Sequence, residues 1–197
     1  MAPTPHDELL MARVKRGDQA ALEALVRRHG TPLLSFLARM TSGRSDAEDL
    51  FQDTWVTVWA RRSTFDTTRR FRPWLYRIAV SRCADWRRRA RPAPADPGAW
   101  KDAGGPPVDT RLLRDERLAA AEAAIRQLPP AQREVVTLRL HASLAYAEIA
   151  DTLGVTESAV RSNMSVALRT LRASLAPWAE HHPMNKEAAD ARAPSRE

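Results

Sequence analysis

Apolar residues recur at helical spacing along most of the chain, and glycines, prolines and short polar residues mark where each run stops. Residues 7–16 read as a first helix ended by Gly17, with Asp18 placed to cap a second. Gly30 and Pro32 interrupt that second pattern, which predicts a break before a shorter helix over 33–40. Ser45-Asp46-Ala47-Glu48 has the form of a capping box, and Asp46, Glu48 and Asp49 complement the dipole of the helix it opens. There Ala47, Phe51, Thr54 and Val58 share one face, with Trp55 beside them. The next helix should start at Pro73, a residue suited to the first helical position. Its stripe is Leu75, Ile78, Ala79 and Trp86, extended at the entry by Phe71. Alternating β-branched runs are scarce, so the expected fold is all-α.

The second half repeats the style with a sharper signature. Residues 145–153 form a short apolar-faced helix, Gly154 stops it, and Thr156 caps another helix running to about 175. Two helices joined by a short glycine-containing turn make the helix-turn-helix pattern. On the second of them Val160, Met164, Ala167, Leu168 and Leu171 form the expected buried face. The opposite face holds Ser158, Arg161, Ser162, Ser165, Arg169 and Arg172. Arginines and short hydroxyls suit the major groove, because they reach phosphates and guanine edges without steric bulk.

Proline and charge divide the chain. Residues 92–113 contain five prolines with Gly98, Gly104 and Gly105 and no helical periodicity, the composition of a linker. The expected organisation is therefore a first helical domain over 1–91, the linker over 92–113, a second helical domain over 114–177 and a disordered polar tail over 178–197. Formal charge is +7 for the whole chain, yet residues 61–91 alone hold eleven arginines against Asp66 and Asp85, a net of +9. Phe65, Phe71, Trp74, Tyr76 and Trp86 are interleaved with them. Arginines neutralise phosphates and flat rings stack on unpaired bases, so this block suits a nucleic-acid strand whose bases are exposed. Most of those rings are core positions by their spacing. Trp74 lies about 100° from the stripe's centre, beside Arg77, Ser81 and Arg88, and is the stacking candidate. The polar loop 63–70, with Phe65, Arg69 and Arg70, is placed to surround an extruded base, and Arg72 continues the basic surface.

Asp46, Asp49 and Asp53 line the outer face of their helix with Val56 among them. A solvated acidic face and a protein-docking face both fit that pattern. Other chemistry has little support. One cysteine, Cys83, rules out an internal disulfide and fits a reducing, cytoplasmic setting. No apolar run approaches the roughly 20 residues of a membrane span, and membrane insertion is not expected. Glycine-rich phosphate loops and zinc spacings are absent, so no cofactor or metal is expected, and His181 and His182 sit in the polar tail.

Three segments together resemble the bacterial RNA polymerase sigma factors of the extracytoplasmic-function (ECF) class. They are Asp46-Ala47-Glu48-Asp49-Leu50-Phe51-Gln52-Asp53, then Phe71-Arg72-Pro73-Trp74-Leu75-Tyr76-Arg77-Ile78-Ala79 with its arginine run, then residues 128–172 through the helix-turn-helix. The resemblance implies no catalysis and two DNA-reading domains. It implies docking on core RNA polymerase through Asp46, Asp49, Gln52, Asp53 and Val56. It assigns opening of the −10 element to the first domain, with an unpaired non-template base trapped near residues 63–70. It assigns duplex −35 reading to the helix from Thr156, and it leaves an anti-sigma protein open as a further partner. Val80-Ser81 stand where the family often has Arg-Asn, and Asn163, Val166 and Leu168 where it is commonly basic. Fewer phosphate contacts predict weaker −35 binding by the free chain.

The rival reading is a freestanding helix-turn-helix regulator whose first domain senses a ligand or dimerises. It leaves the +9 block and the acidic stripe without purpose. An enzyme acting on nucleic acid, with Asp46, Asp49 and Asp53 as metal ligands, is more distant still, since no second acidic cluster or histidine accompanies them.

Overall fold

In the computed structural model the described residues are 6–41, 43–89 and 110–181, with side chains described over 119–176 in the last stretch. All regular structure among them is helical. The first domain comprises α1 (Asp7–Lys15), α2 (Gln19–Met40), α3 (Arg44–Ala60), a 3-10 turn at Arg62–Thr64 and α4 (Phe71–Arg89). The second comprises α5 (Thr110–Gln127), α6 (Pro130–Leu140), α7 (Tyr146–Leu153) and α8 (Glu157–His181). The expected linker overlaps the start of α5, and its remainder, like the tail beyond His181, lies outside the described residues.

Local signals at the first turn act as anticipated. Gly17 takes φ +90°, a conformation costly for any residue with a Cβ, and Asp18 accepts the Ala21 N–H at 3.0 Å to start α2. Two other starts and one break differ from expectation. α2 runs unbroken through Pro32, whose ring is solvent-exposed. Proline forgoes one i→i−4 bond at a cost of about 3 kcal/mol. The stripe Leu25, His29, Leu33, Phe36, Leu37 and Met40 offsets that cost, because it is buried only if the helix continues. At α3 the capping box does not form: the helix begins at Arg44 from an extended Gly43, and Glu48 pairs with Arg44 at 2.8 Å instead.

α4 begins at Phe71, two residues before the expected Pro73, because a carboxylate from elsewhere caps it. Glu8 Oε1 of α1 accepts the Phe71 N–H at 3.1 Å. Beneath that start lies an aromatic joint. Phe71 packs edge-on to Phe65 with centroids 6.0 Å apart and tilts on His29 at 5.4 Å. His29 meets Asp7 Oδ2 at 2.7 Å, and burial first of all holds its pKa below the ordinary value, against the opposing pull of Asp7. Phe36 and Tyr76 continue the core in an edge-on pair at 5.3 Å. Cys83 is fully buried, and burial pushes its thiol up to about 12, so it is a packing residue without nucleophilic character.

The two domains are not held apart. α5 and α6 lie against α2, and α7 lies along α4. Arg39 pairs with Glu122 and Arg87 with Glu134 across the seam, and the Thr152 hydroxyl reaches the Pro73 carbonyl at 3.4 Å. The sequence offered two domains on a tether, and this packing is an addition to that picture.

The long-range cap gives a direct test. Glu8→Ala should lower the unfolding free energy by about 1 kcal/mol, the usual worth of a lost helix cap. Urea titration followed by circular dichroism reads it; an unchanged midpoint and slope would mean that water replaces the carboxylate without cost.

Candidate nucleic-acid and polymerase interfaces

The loop between the 3-10 turn and α4 is built by short-range polar bonds. Asp66 Oδ1 accepts the Thr68 hydroxyl at 2.7 Å and the Thr68 N–H at 3.0 Å, and the Arg69 N–H returns to the Asp66 carbonyl at 3.0 Å. The Thr68 hydroxyl bond, then the Thr68 N–H, hold the Asp66 carboxyl below its ordinary pKa. Lys15 ties the loop to α1 through the Phe65 carbonyl at 2.8 Å. Arg69 and Arg70 are thereby turned outward, and both are well exposed.

Behind them is a cleft of about 830 Å³, into which Thr64, Arg69, Trp74 and Arg77 all face. Trp74 is half-buried, tilted on Phe65 at 5.1 Å between centroids and on Phe71 at 6.1 Å. Its ring thus has backing on one side and the cleft on the other. Phe65 departs from its expected place. Its ring is only 1% exposed, packed as a wall beneath Trp74, because the Lys15 bond draws the loop onto α1. It shapes the cleft and offers no free stacking face in this packing. Arg72 is half-buried and bonds the Ala142 carbonyl, while Ser81 and Arg88 are exposed further along α4, Arg88 paired with Asp85. The far wall of the cleft is Ala145, which precedes α7, with Glu148 and Asp151 of α7, none of which the sequence placed here.

On α3 most of the inward face is as the wheel predicts: Ala47, Thr54 and Val58 are fully buried and Trp55 nearly so, but Phe51 is only half-buried at its edge and Leu50 is buried on the other flank. Asp49, Gln52 and Asp53 are exposed, Asp46 is half-exposed, and Val56 is 67% exposed among them. A groove of about 220 Å³ follows Asp46, Asp49 and Asp53, and its other wall is Trp86 with Arg89. Trp86, expected in the α4 core, is half-buried at the edge of this acidic groove. The signal was its position at the outer end of the stripe, one step before the arginine run.

The helix-turn-helix forms with Gly154 at φ +68° between α7 and α8. Ala145 gives α7 no side-chain cap, but Glu148 Oε2 accepts the Ala145 N–H at 2.8 Å, the reciprocal half of a capping box. Thr156 Oγ1 accepts the Ala159 N–H at 3.2 Å and caps α8. Val160, Met164 and Ala167 are buried, whereas Leu168, expected with them, is 41% exposed: it sits one step round the helix from Ala167, past the edge of the packed face. Thr156, Ser158, Arg161, Ser162, Ser165, Arg169 and Arg172 are all exposed on the outer side. Arg161 Nε bonds Glu157 Oε1 at 3.1 Å and its guanidinium lies 5.0 Å over the Tyr146 ring, so two residues not anticipated from the sequence hold the leading arginine of that face.

Among the described residues, no cluster of His, Cys, Asp or Glu is placed to hold a metal ion, and no helix is long and apolar enough to cross a membrane.

Residues 25–93 match the family model of sigma-70 region 2, and residues 118–171 match that of sigma-70 region 4. The RNA polymerase sigma factor NccH of Alcaligenes xylosoxydans xylosoxydans is 32% identical over 179 residues, covering 86% of this chain and 94% of the relative. The ECF RNA polymerase sigma factor SigM of Mycobacterium tuberculosis is 36% identical over 161 residues, covering 81% of this chain and 79% of the relative. Among solved structures, CnrH in complex with the cytosolic domain of CnrY superposes with a TM-score of 0.67 at 29% identity, covering 87% of this chain and 97% of CnrH. Two family regions in order, and relatives aligned across both, make this chain a member of the RNA polymerase sigma factors, in their extracytoplasmic-function class.

Proposed function

We propose that this sigma factor divides its work among three faces: α3 docks on core polymerase, the Trp74 cleft takes an unpaired −10 base, and α8 reads the −35 duplex. As a sigma factor the chain binds core RNA polymerase and promoter DNA and directs transcription initiation. A freestanding regulator is thereby set aside. The observation that carries the assignment of faces is the cleft itself. Among the described residues it is the place where outward arginines and a backed indole coincide on one open cleft. We assign the chain no catalytic step and place it in the cytoplasm, where its polymerase works. CnrH was solved carrying the cytosolic domain of CnrY, and that likeness supports a protein partner of the anti-sigma kind here too.

Docking through α3 is tested by Asp49→Lys with Asp53→Lys. Both side chains are exposed, so stability should change by no more than about 0.5 kcal/mol. Polymerase binding should fall severely, and full co-purification of the folded double variant with core enzyme would refute the assignment.

Strand capture is tested by Trp74→Ala. A lost base stack costs roughly 1–3 kcal/mol. That loss should appear in promoter opening, read by permanganate reactivity, far more than in formation of the closed complex. Normal opening with impaired initial binding would make Trp74 a packing residue only.

For α8, residues near a recognition helix's N-terminus reach base edges and later ones meet phosphates. Arg161→Ala should relax preference at one or two −35 positions by about 1–3 kcal/mol. Arg172→Ala should instead weaken all promoters alike and flatten the salt dependence. Transcription from a panel of −35 variants at two salt concentrations separates these outcomes. A uniform loss with Arg161→Ala would make that arginine a backbone contact.

A further inference from the structure

Both ends of the strand-facing loop are held by one helix that lies outside the matched family region. α1 spans Asp7–Lys15, whereas the match to region 2 begins at residue 25. Lys15 Nζ donates to the Phe65 carbonyl at 2.8 Å, and Glu8 Oε1 accepts the Phe71 N–H at 3.1 Å. Their spacing in the sequence puts Glu8 and Lys15 within about 20° of one line along the helix and about 10 Å apart on it. The chain from Phe65 to Phe71 could span about 20 Å if extended. A loop tied at roughly half its reach bows outward. Asp66, Thr67, Thr68, Arg69 and Arg70 are all exposed along that bow.

We propose that α1 is a two-point clamp on the strand-capturing loop, with Lys15 and Glu8 as positioning residues for promoter opening. The inference rests on the strand-surface reading of the cleft, and it adds two residues that do not themselves line that cleft. The clamp has a firm base. Leu10, Met11 and Val14 bury the inner side of α1, and Asp7 binds α2 through Arg28 and through His29 Nε2 at 2.7 Å. The loop has little bracing of its own: the Asp66–Thr68 bonds join near neighbours, and Arg69 and Arg70 set two like charges side by side. What Lys15 fixes reaches the cleft. With its carbonyl held, Phe65 keeps its ring 1% exposed as the backing of Trp74, at 5.1 Å between centroids. Loss of the tie frees that end of the loop, loosens the wall behind Trp74 and lets the arginines wander. A base is then captured less often and with less discrimination, while initial binding to duplex DNA does not use the shape of the loop.

The test uses the full chain, alone and with core polymerase on a promoter the sigma factor transcribes. Lys15→Met removes the tie, and Lys15→Arg keeps a cationic donor within reach of the same carbonyl. Arg16→Met takes the same charge from the exposed neighbouring residue. Hydrogen–deuterium exchange over residues 65–71 reads the clamp, because the Thr68, Arg69 and Phe71 amides are all bonded there. In Lys15→Met exchange should rise about tenfold over that segment, the change in population that follows loss of one charge-assisted hydrogen bond. Permanganate reactivity at −10 thymines should show opening slowed by about the same factor, with closed complexes forming as in wild type. The spread of opening rates across a panel with each base at each −10 position should narrow. Lys15→Arg should recover most of both effects, and Arg16→Met should match wild type throughout.

Unchanged exchange over 65–71 in Lys15→Met would overturn the proposal. So would an equal loss of opening in Arg16→Met, which would make the effect one of net charge, or a slow-opening Lys15→Met whose defect Lys15→Arg shares in full. If exchange rises while opening stays normal, Trp74→Ala separates the two ideas. Slow opening in Trp74→Ala would keep the strand-surface reading and remove the clamp's role. Normal opening in both variants would remove that reading, and the proposal with it.

Discussion

Everything in the first domain depends on burying one stripe of α4 inside a segment that carries a net charge of +9. Phe71, Leu75, Tyr76, Ile78, Ala79 and Cys83 are all buried on one side of the helix, while the arginines spaced along it repel one another. Magnitudes decide the contest. Burying each large apolar side chain is worth about 1.5–3 kcal/mol, whereas exposed ion pairs contribute at most about 1 kcal/mol each. Apolar burial therefore holds the helix, and acids such as Asp85, between Arg82 at 3.7 Å and Arg88, trim the repulsion. The arginines not consumed in this way remain available to phosphates. A basic surface that is costly for the isolated domain is the surface we propose for the −10 strand.

The packing also sets how precisely the cleft is shaped. Its floor is Phe65, backed by the buried Phe71, its inner anchor is the Lys15 bond to the Phe65 carbonyl, and its entry is fixed by the Asp66–Thr68 turn. None of these groups needs to touch DNA to matter, because they fix where Arg69, Arg70 and Trp74 can be. α1 thereby shapes the proposed strand surface indirectly: Glu8 sets the first turn of α4 and Lys15 sets the loop before it. The proposed polymerase face is coupled to the same helix through Trp86, which closes the acidic groove from α4. One helix thus contributes to both proposed surfaces, the α3 docking face on one side and the strand cleft on the other.

What could be read from the sequence was whatever short-range chemistry decides. Gly17, Asp18, Gly154 and Thr156 act within a turn of their own positions, and each stands where its residue type required. The buried face of α3 and the outward arginines of α8 followed from periodicity for the same reason. Misreadings arose where a distant group overruled a local signal. Pro32 spoke for a break, but burial of the stripe on both sides of it kept α2 whole. Ser45 spoke for a cap, and Gly43 took the role. Pro73 spoke for the start of α4, and a carboxylate more than sixty residues earlier in the chain moved that start to Phe71. Phe65 looked like a ligand-facing ring because nothing local shows that Lys15 will pull its loop inward. The partners of Arg70 and Arg87 in the second domain were beyond reach for the same reason, since pairing across 78 and 47 residues leaves no periodic trace.

The central claim is that the loop before α4 meets the unpaired non-template strand of the −10 element. The most direct measurement is strand cleavage by an iron chelate attached through Ser63→Cys, an exposed site next in sequence to Thr64 of the cleft wall, with Cys83 buried and unreactive. In complexes with core polymerase on a promoter the sigma factor transcribes, cuts should fall on the non-template strand within the melted −10 segment and vanish when melting is prevented at low temperature. Cuts confined to duplex DNA outside that segment, or spread equally over both strands, would contradict the account.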